Sequence, residues 1–235
     1  MTSDTLALVG AAGGAGTTRL TLECATLLAR DGRDVAVLDA AYATQGLADY
    51  TPGRIDPDMT TACVDDVPIR DALVDRDIEA AGRLAVCPAR APFERLARAK
   101  TPEAAEAFER RVAEATRAFD HILVDTPPIA ANQAVAAVNV ADRVAIVCDD
   151  GRAADALPRL RDRLEDVGAP ADATVVTRTT DHPDADATVP DFDASTPAVT
   201  TNETAREAVA EVLETALGVD IERDETDGLR ESLPF

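Results

Sequence analysis

Lysine is almost missing from this sequence: Lys100 is the only one, and every other cation of the 23 Lys+Arg is an arginine. A site that needs an ammonium group is therefore excluded unless Lys100 reaches it. Tryptophan is absent and aromatics are 3% of the chain, so the core has to be built from Ala, Val, Leu and Ile, as suits a parallel sheet covered by helices. No segment approaches the roughly 18 continuous apolar residues of a membrane span, and no charged-then-apolar leader opens the chain. Both features lead us to expect a soluble cytoplasmic protein. Cys24, Cys63, Cys87 and Cys148 are far apart with no paired spacing, which argues for small core residues over ligands. His121 and His182 are too separated to suggest a metal site.

Acids are abundant where lysine is scarce. Asp+Glu number 44, and the formal net charge is −21. The acids are spread along the chain, with no single acidic block. That distribution favours adaptation to molar salt, where self-repulsion is screened over about 3 Å, over a dedicated acidic docking surface. The arginine-bearing stretches Arg90–Lys100 and Arg152–Arg163 are interleaved with acids and read as solvated helix faces.

Apolar runs alternate with helical patterns. Strands are expected at Leu6–Val9, Val35–Leu38, Leu84–Cys87, His121–Val124, Val144–Cys148 and Thr174–Thr177. Helices are expected near Thr18–Arg30, Ile69–Val74, Pro102–Ala118, Asn132–Asn139, Ala153–Val167 and Glu203–Leu217. Most of the strand runs lack period-two alternation, as strands buried on both faces do. The reading is an α/β fold with a doubly wound, mostly parallel sheet flanked by helices, occupying one domain over residues 1–217. Thr51–Val67 and Thr179–Pro197 look irregular. Residues 218–235 form an acidic tail with Leu229, Leu233 and Phe235 near its end, which either docks or stays disordered.

In such sheets ligands sit beyond the carboxyl ends of the strands. After the first strand comes Gly13-Gly14-Ala15-Gly16-Thr17-Thr18-Arg19, a glycine loop running into a helix. A loop of that kind directs backbone N–H groups at one spot, where the helix dipole also favours an anion. Asp39 and Asp125 end the second and fourth strands, where an acid can hold Mg²⁺ directly or through water. Each acid alone could equally be a cap or turn former. Both acids with a glycine loop, at three strand ends of one sheet, point to a nucleotide site.

These residues resemble the MinD/ParA family of P-loop ATPases, whose deviant loop reads Lys-Gly-Gly-x-Gly-Lys-Thr-Thr. The likeness runs from Leu6 to Leu217 and includes Ala12–Arg19, Leu38–Gly46, Phe119–Pro128 with its Asp125-Thr126-Pro127-Pro128 element, the strand at Ala141–Val147, and Val189-Pro190-Asp191. The resemblance implies ATP and Mg²⁺ as cofactors, Gly13, Gly14, Ala15, Gly16, Thr17, Thr18 and Arg19 around the phosphates, Thr18, Asp39 and Asp125 around the metal, and Asp39 as the catalytic acid. It also implies a homodimer and a protein partner. The departures are as clear. Ala12 stands at the signature lysine, Thr17 at the phosphate lysine, Arg19 at the second Thr, Ala41 at the switch acid and Thr177 at the base-reading Asn.

Each lost charge-assisted contact is worth about 1.5–3 kcal/mol, so binding falls by about one to four decades for both lysines, and turnover by more. Arg19 starts on another helix face and is a poor substitute. The expectation is a nucleotide-binding positioning, partitioning or regulatory switch with weak or absent hydrolysis. The alternative is a pseudo-ATPase scaffold that binds protein partners without nucleotide. ATP-dependent ligases resembling dethiobiotin synthetases form a third and weaker class. The acidic C-terminal helix and tail argue against membrane and nucleic-acid partners.

Overall fold

The computed structural model describes residues 3–192 and 197–221. They form one eight-stranded sheet: β1 (Asp4–Gly10), β2 (Val35–Asp39), β3 (Val74–Asp75), β4 (Leu84–Cys87), β5 (His121–Thr126), β6 (Arg143–Asp149), β7 (Ala173–Thr177) and β8 (Ala187–Val189). The spatial order is β3-β4-β2-β5-β1-β6-β7-β8, parallel throughout except for the antiparallel edge strand β3. The helices are α1 (Thr17–Arg30), α2 (Gly46–Asp49), α3 (Met59–Val64), α4 (Ile69–Ala72), α5 (Phe93–Arg98), α6 (Pro102–Ala115), α7 (Asn132–Val140), α8 (Ala153–Asp166) and α9 (Glu203–Leu217).

Successive side chains of a strand face opposite sides of the sheet. Leu6, Leu8, Val35 and Val37 pack under α1 and α9 with Leu28, Val209 and Leu213. On the other side Ala36, Leu38, Ile122 and Val124 meet Phe108 and Val112 of α6, while Ala7, Val9 and Ile146 meet Leu157, Leu160 and Leu164 of α8. Both faces are therefore covered, which is why the strand runs show no alternation. The four cysteines are free and buried, as expected.

All six expected strands are present, and β3 and β8 are additional. Each is too short to leave a pattern: Val74 belongs to an edge strand instead of the end of α4, and β8 lies inside the stretch read as irregular. The other irregular stretch holds α3, which Asp58 caps by accepting the Thr61 N–H at 2.9 Å. Most of the acidic tail, with Leu229, Leu233 and Phe235, lies outside the described residues. Among the described residues no helix is long and apolar enough to cross a membrane.

Candidate functional site

Residues 11–16 carry the chain from β1 to α1. Gly14 (φ 79°) and Gly16 (φ 87°) adopt the left-handed conformation that glycine accepts without steric cost. Gly16 caps α1 with no side-chain acceptor, so the helix's first amides are left open. The backbone N–H groups of Gly14, Gly16, Thr17 and Thr18 have no acceptor among the described residues. They border a cleft of about 280 Å³ that is also lined by Ala41, Gly46, Asp125 and Pro127. Thr17, at the lysine position, lies against the end of β1: a Cβ on Gly10 would come 2.7 Å from its Oγ1. Lys100 is not among the cleft's lining residues.

The two acids sit side by side, since Asp39 and Asp125 are register partners of β2 and β5. Asp125 lines the cleft, and its Oδ2 accepts the Thr18 hydroxyl at 2.6 Å. Asp39 stands behind it with both oxygens occupied, Oδ1 by the Ala41 N–H at 2.7 Å and Oδ2 by the Ala89 N–H at 3.0 Å. Burial pushes both carboxyl pKa values up; the negative charge of Asp125 raises Asp39 further, while the Thr18 hydroxyl pulls Asp125 partly back. The site thus brings Gly13 to Thr18 together with Asp125 and keeps Asp39 one layer deeper. A hydroxyl beside a carboxylate at an anion-binding helix start is a donor set that suits Mg²⁺. Among the described residues no three His, Cys, Asp or Glu side chains form a metal cage, so most of the ion's shell would be phosphate and water.

Arg19 lies at the cleft's edge but turns away from it. Its Nη1 donates to Phe192 O at 3.0 Å, and its Nε is 3.6 Å from the Glu23 carboxylate. Thr177 is pinned under the loop, donating to Ala15 O at 2.9 Å, so its hydroxyl is spent on the backbone. Two arginines that the sequence reading left on solvated faces or unassigned also touch the loop. Arg152, just past β6, donates to Gly13 O at 2.7 Å, and Arg178, just past β7, donates to Gly14 O at 3.1 Å. Their position after strand ends was the available signal. A smaller recess of about 90 Å³ opens beside the loop, lined by Gly16, Arg19, Thr177, Pro190, Asp191 and Phe192, so the late proline motif does border the site.

Comparison with known proteins places this geometry. Residues 3–171 match the family model described as "AAA domain". A search of curated proteins finds no match. Solved structures agree in fold at low identity. The septum site-determining protein MinD from Pyrococcus horikoshii OT3, complexed with Mg-ADP, is 15% identical with a TM-score of 0.69, covering 90% of this chain and 95% of that one. Cobyrinic acid a,c-diamide synthase from Mycobacterium smegmatis, with a bound ATP analogue and magnesium, is 17% identical with a TM-score of 0.69 over 95% and 99%. MinD in the MinC:MinD complex of Aquifex aeolicus is 23% identical with a TM-score of 0.67 over 94% and 98%. With the glycine loop, the acid-bearing strand ends and a family match over most of its length, the chain belongs to the AAA domain family and has the MinD/ParA type of P-loop NTPase fold.

Proposed function

We infer that this protein is a cytoplasmic, MinD/ParA-like nucleotide switch that holds ATP·Mg²⁺ weakly and hydrolyses it slowly or not at all. The observation that carries the reading is the set of open amides at Gly14, Gly16, Thr17 and Thr18 facing the same cleft as the Thr18–Asp125 pair. Backbone amides at a helix start bind phosphate oxygens, and Thr18 with Asp125 would hold the magnesium shell. Bound magnesium neutralises charge on the β- and γ-phosphates. The recess beside Gly16 and Pro190 has room for part of a nucleoside. In this reading Asp39 acts from behind, fixing the Ala41 and Ala89 amides, and weak turnover follows from the missing cations.

MinD of Aquifex aeolicus is found in a complex with MinC, and a switch of this kind would work through its own homodimer or a protein partner. The loss of both lysines favours a second reading, a scaffold that binds partners without nucleotide. Equilibrium binding of labelled ATP in molar KCl with Mg²⁺ separates the two. Saturable binding supports the switch, and no saturation at millimolar ligand leaves the scaffold.

A further inference from the structure

Three consecutive carbonyls of the loop are gripped from outside. Arg152 Nη1 holds Gly13 O at 2.7 Å, Arg178 Nη2 holds Gly14 O at 3.1 Å, and Thr177 Oγ1 holds Ala15 O at 2.9 Å. All three donors stand just past β6 or at the end of β7, the strands that follow β1 on one side of the sheet. In a trans peptide the carbonyl of one residue and the N–H of the next point in opposite directions. Holding Gly13 O and Ala15 O outward therefore turns the Gly14 and Gly16 N–H groups the other way, towards the cleft. The intervening Ala15 N–H returns to Ala12 O at 3.3 Å.

Neither arginine is placed casually. Arg152 is oriented by Asp149, whose carboxylate accepts from its Nε, which leaves Nη1 for the loop. Arg178 adopts φ 63°, a left-handed conformation that non-glycine residues hold only where their surroundings enforce it. Its backbone is locked there by an N–H bond to Val189 O at 2.7 Å.

We propose that Arg152 and Arg178 are positioning residues that brace the loop: Arg152 turns the Gly13 carbonyl outward so that the Gly14 amide receives the polyphosphate of a nucleotide, and Arg178 holds the Gly14–Ala15 peptide whose N–H closes the turn on Ala12 O. The proposal rests on the nucleotide reading of the cleft for its ligand. Its structural half is independent of that ligand.

The test uses the full chain in molar KCl with the variants Arg152→Ala, Arg178→Ala, the double variant and Arg152→Lys. Magnesium-ATP affinity should fall about tenfold for each alanine and more for the pair. Arg152→Lys should recover only part, because a point-like ammonium cannot span both Asp149 and Gly13 O. In the nucleotide-free protein, the Gly14 amide in Arg152→Ala and the Ala15 amide in Arg178→Ala should shift in ¹H–¹⁵N spectra and exchange faster, with the melting temperature held. Unchanged affinity in both alanine variants overturns the proposal and leaves the nucleotide reading standing. If the parent itself binds no ATP, the nucleotide reading falls, and unchanged amide exchange then overturns the brace as well, whereas faster exchange supports it. Should an alanine variant not fold, Arg152→Lys decides by the same two measurements.

Discussion

At the scale of single residues, Asp125 is the acid that lines the cleft. It is almost fully buried, and among the described residues its side-chain donor is Thr18. Since burial raises the folded-state values of Asp125 and Asp39, the folded chain keeps protons that the unfolded chain has already released. The stability this adds is complete below about pH 4, the ordinary carboxylate value, and is lost as pH rises through the raised folded values. Asp125→Asn removes one titrating group and still accepts the Thr18 hydroxyl. Without added metal, its melting temperature should decline less between acid and about pH 8, corresponding to about 1–3 kcal/mol, than that of the parent. Parallel pH profiles for the two proteins would show that Asp125 does not titrate in that range. Magnesium affinity, which needs the carboxylates ionised, should rise with pH in the parent and weaken in the variant.

At the scale of elements, the site depends on how α1 is anchored. Glu23 on α1 is buried, and its two oxygens accept the N–H groups of Ala198 at 2.8 Å and Val199 at 3.0 Å, in the turn before α9. That contact ties the helix that starts at the phosphate loop to the last layer of the fold. Glu23→Ala leaves two buried donors without an acceptor and should cost about 2–5 kcal/mol in urea unfolding. Glu23→Gln keeps one acceptor oxygen and should lose less; equal stability of all three proteins would mean the anchor is idle. The long elements around it were readable in advance: α1, α6 and α9 appear near their expected bounds because their apolar faces repeat at helical spacing. The short elements α2 and α3 escaped notice, whereas α5 lies inside the Arg90–Lys100 stretch read as a helix face. Four to six residues carry too little periodicity, and α3 forms because Asp58 also holds the distant Arg90 N–H at 2.7 Å.

At the scale of the whole molecule, a net charge of −21 over 235 residues is the dominant long-range force. Many of the ion pairs involve exposed side chains, such as Arg54–Asp56 and Arg98–Asp65, and contribute little to stability. Screening is the larger lever, since the Debye length contracts from about 10 Å at 0.1 M salt to about 3 Å at 1 M. The denaturation midpoint should therefore climb steadily from dilute buffer to molar KCl, most steeply at the low end. A flat profile would mean that the acidity serves something other than salt tolerance. Because binding of an anionic nucleotide must also overcome this field, ATP affinity should be stronger at high salt than at low, the reverse of a basic site.

Sequence alone settled what is local or periodic. Six buried apolar runs dictate the parallel sheet, a glycine loop before a helix dictates a turn with open backbone amides, and the loss of lysine at Ala12 and Thr17 is visible by inspection. It also placed Asp125 and Thr18 in one site, because strand ends of a doubly wound sheet converge. Only the tertiary structure decided which of two adjacent acids faces the cleft, since Asp39 and Asp125 occupy equivalent strand ends and differ in what packs around them. The same holds for Arg152 and Arg178, which lie 139 and 164 residues from the carbonyls they hold. Contacts at that separation leave no periodicity or spacing in the chain; they exist because the sheet order sets β6 beside β1 and β7 beside β6.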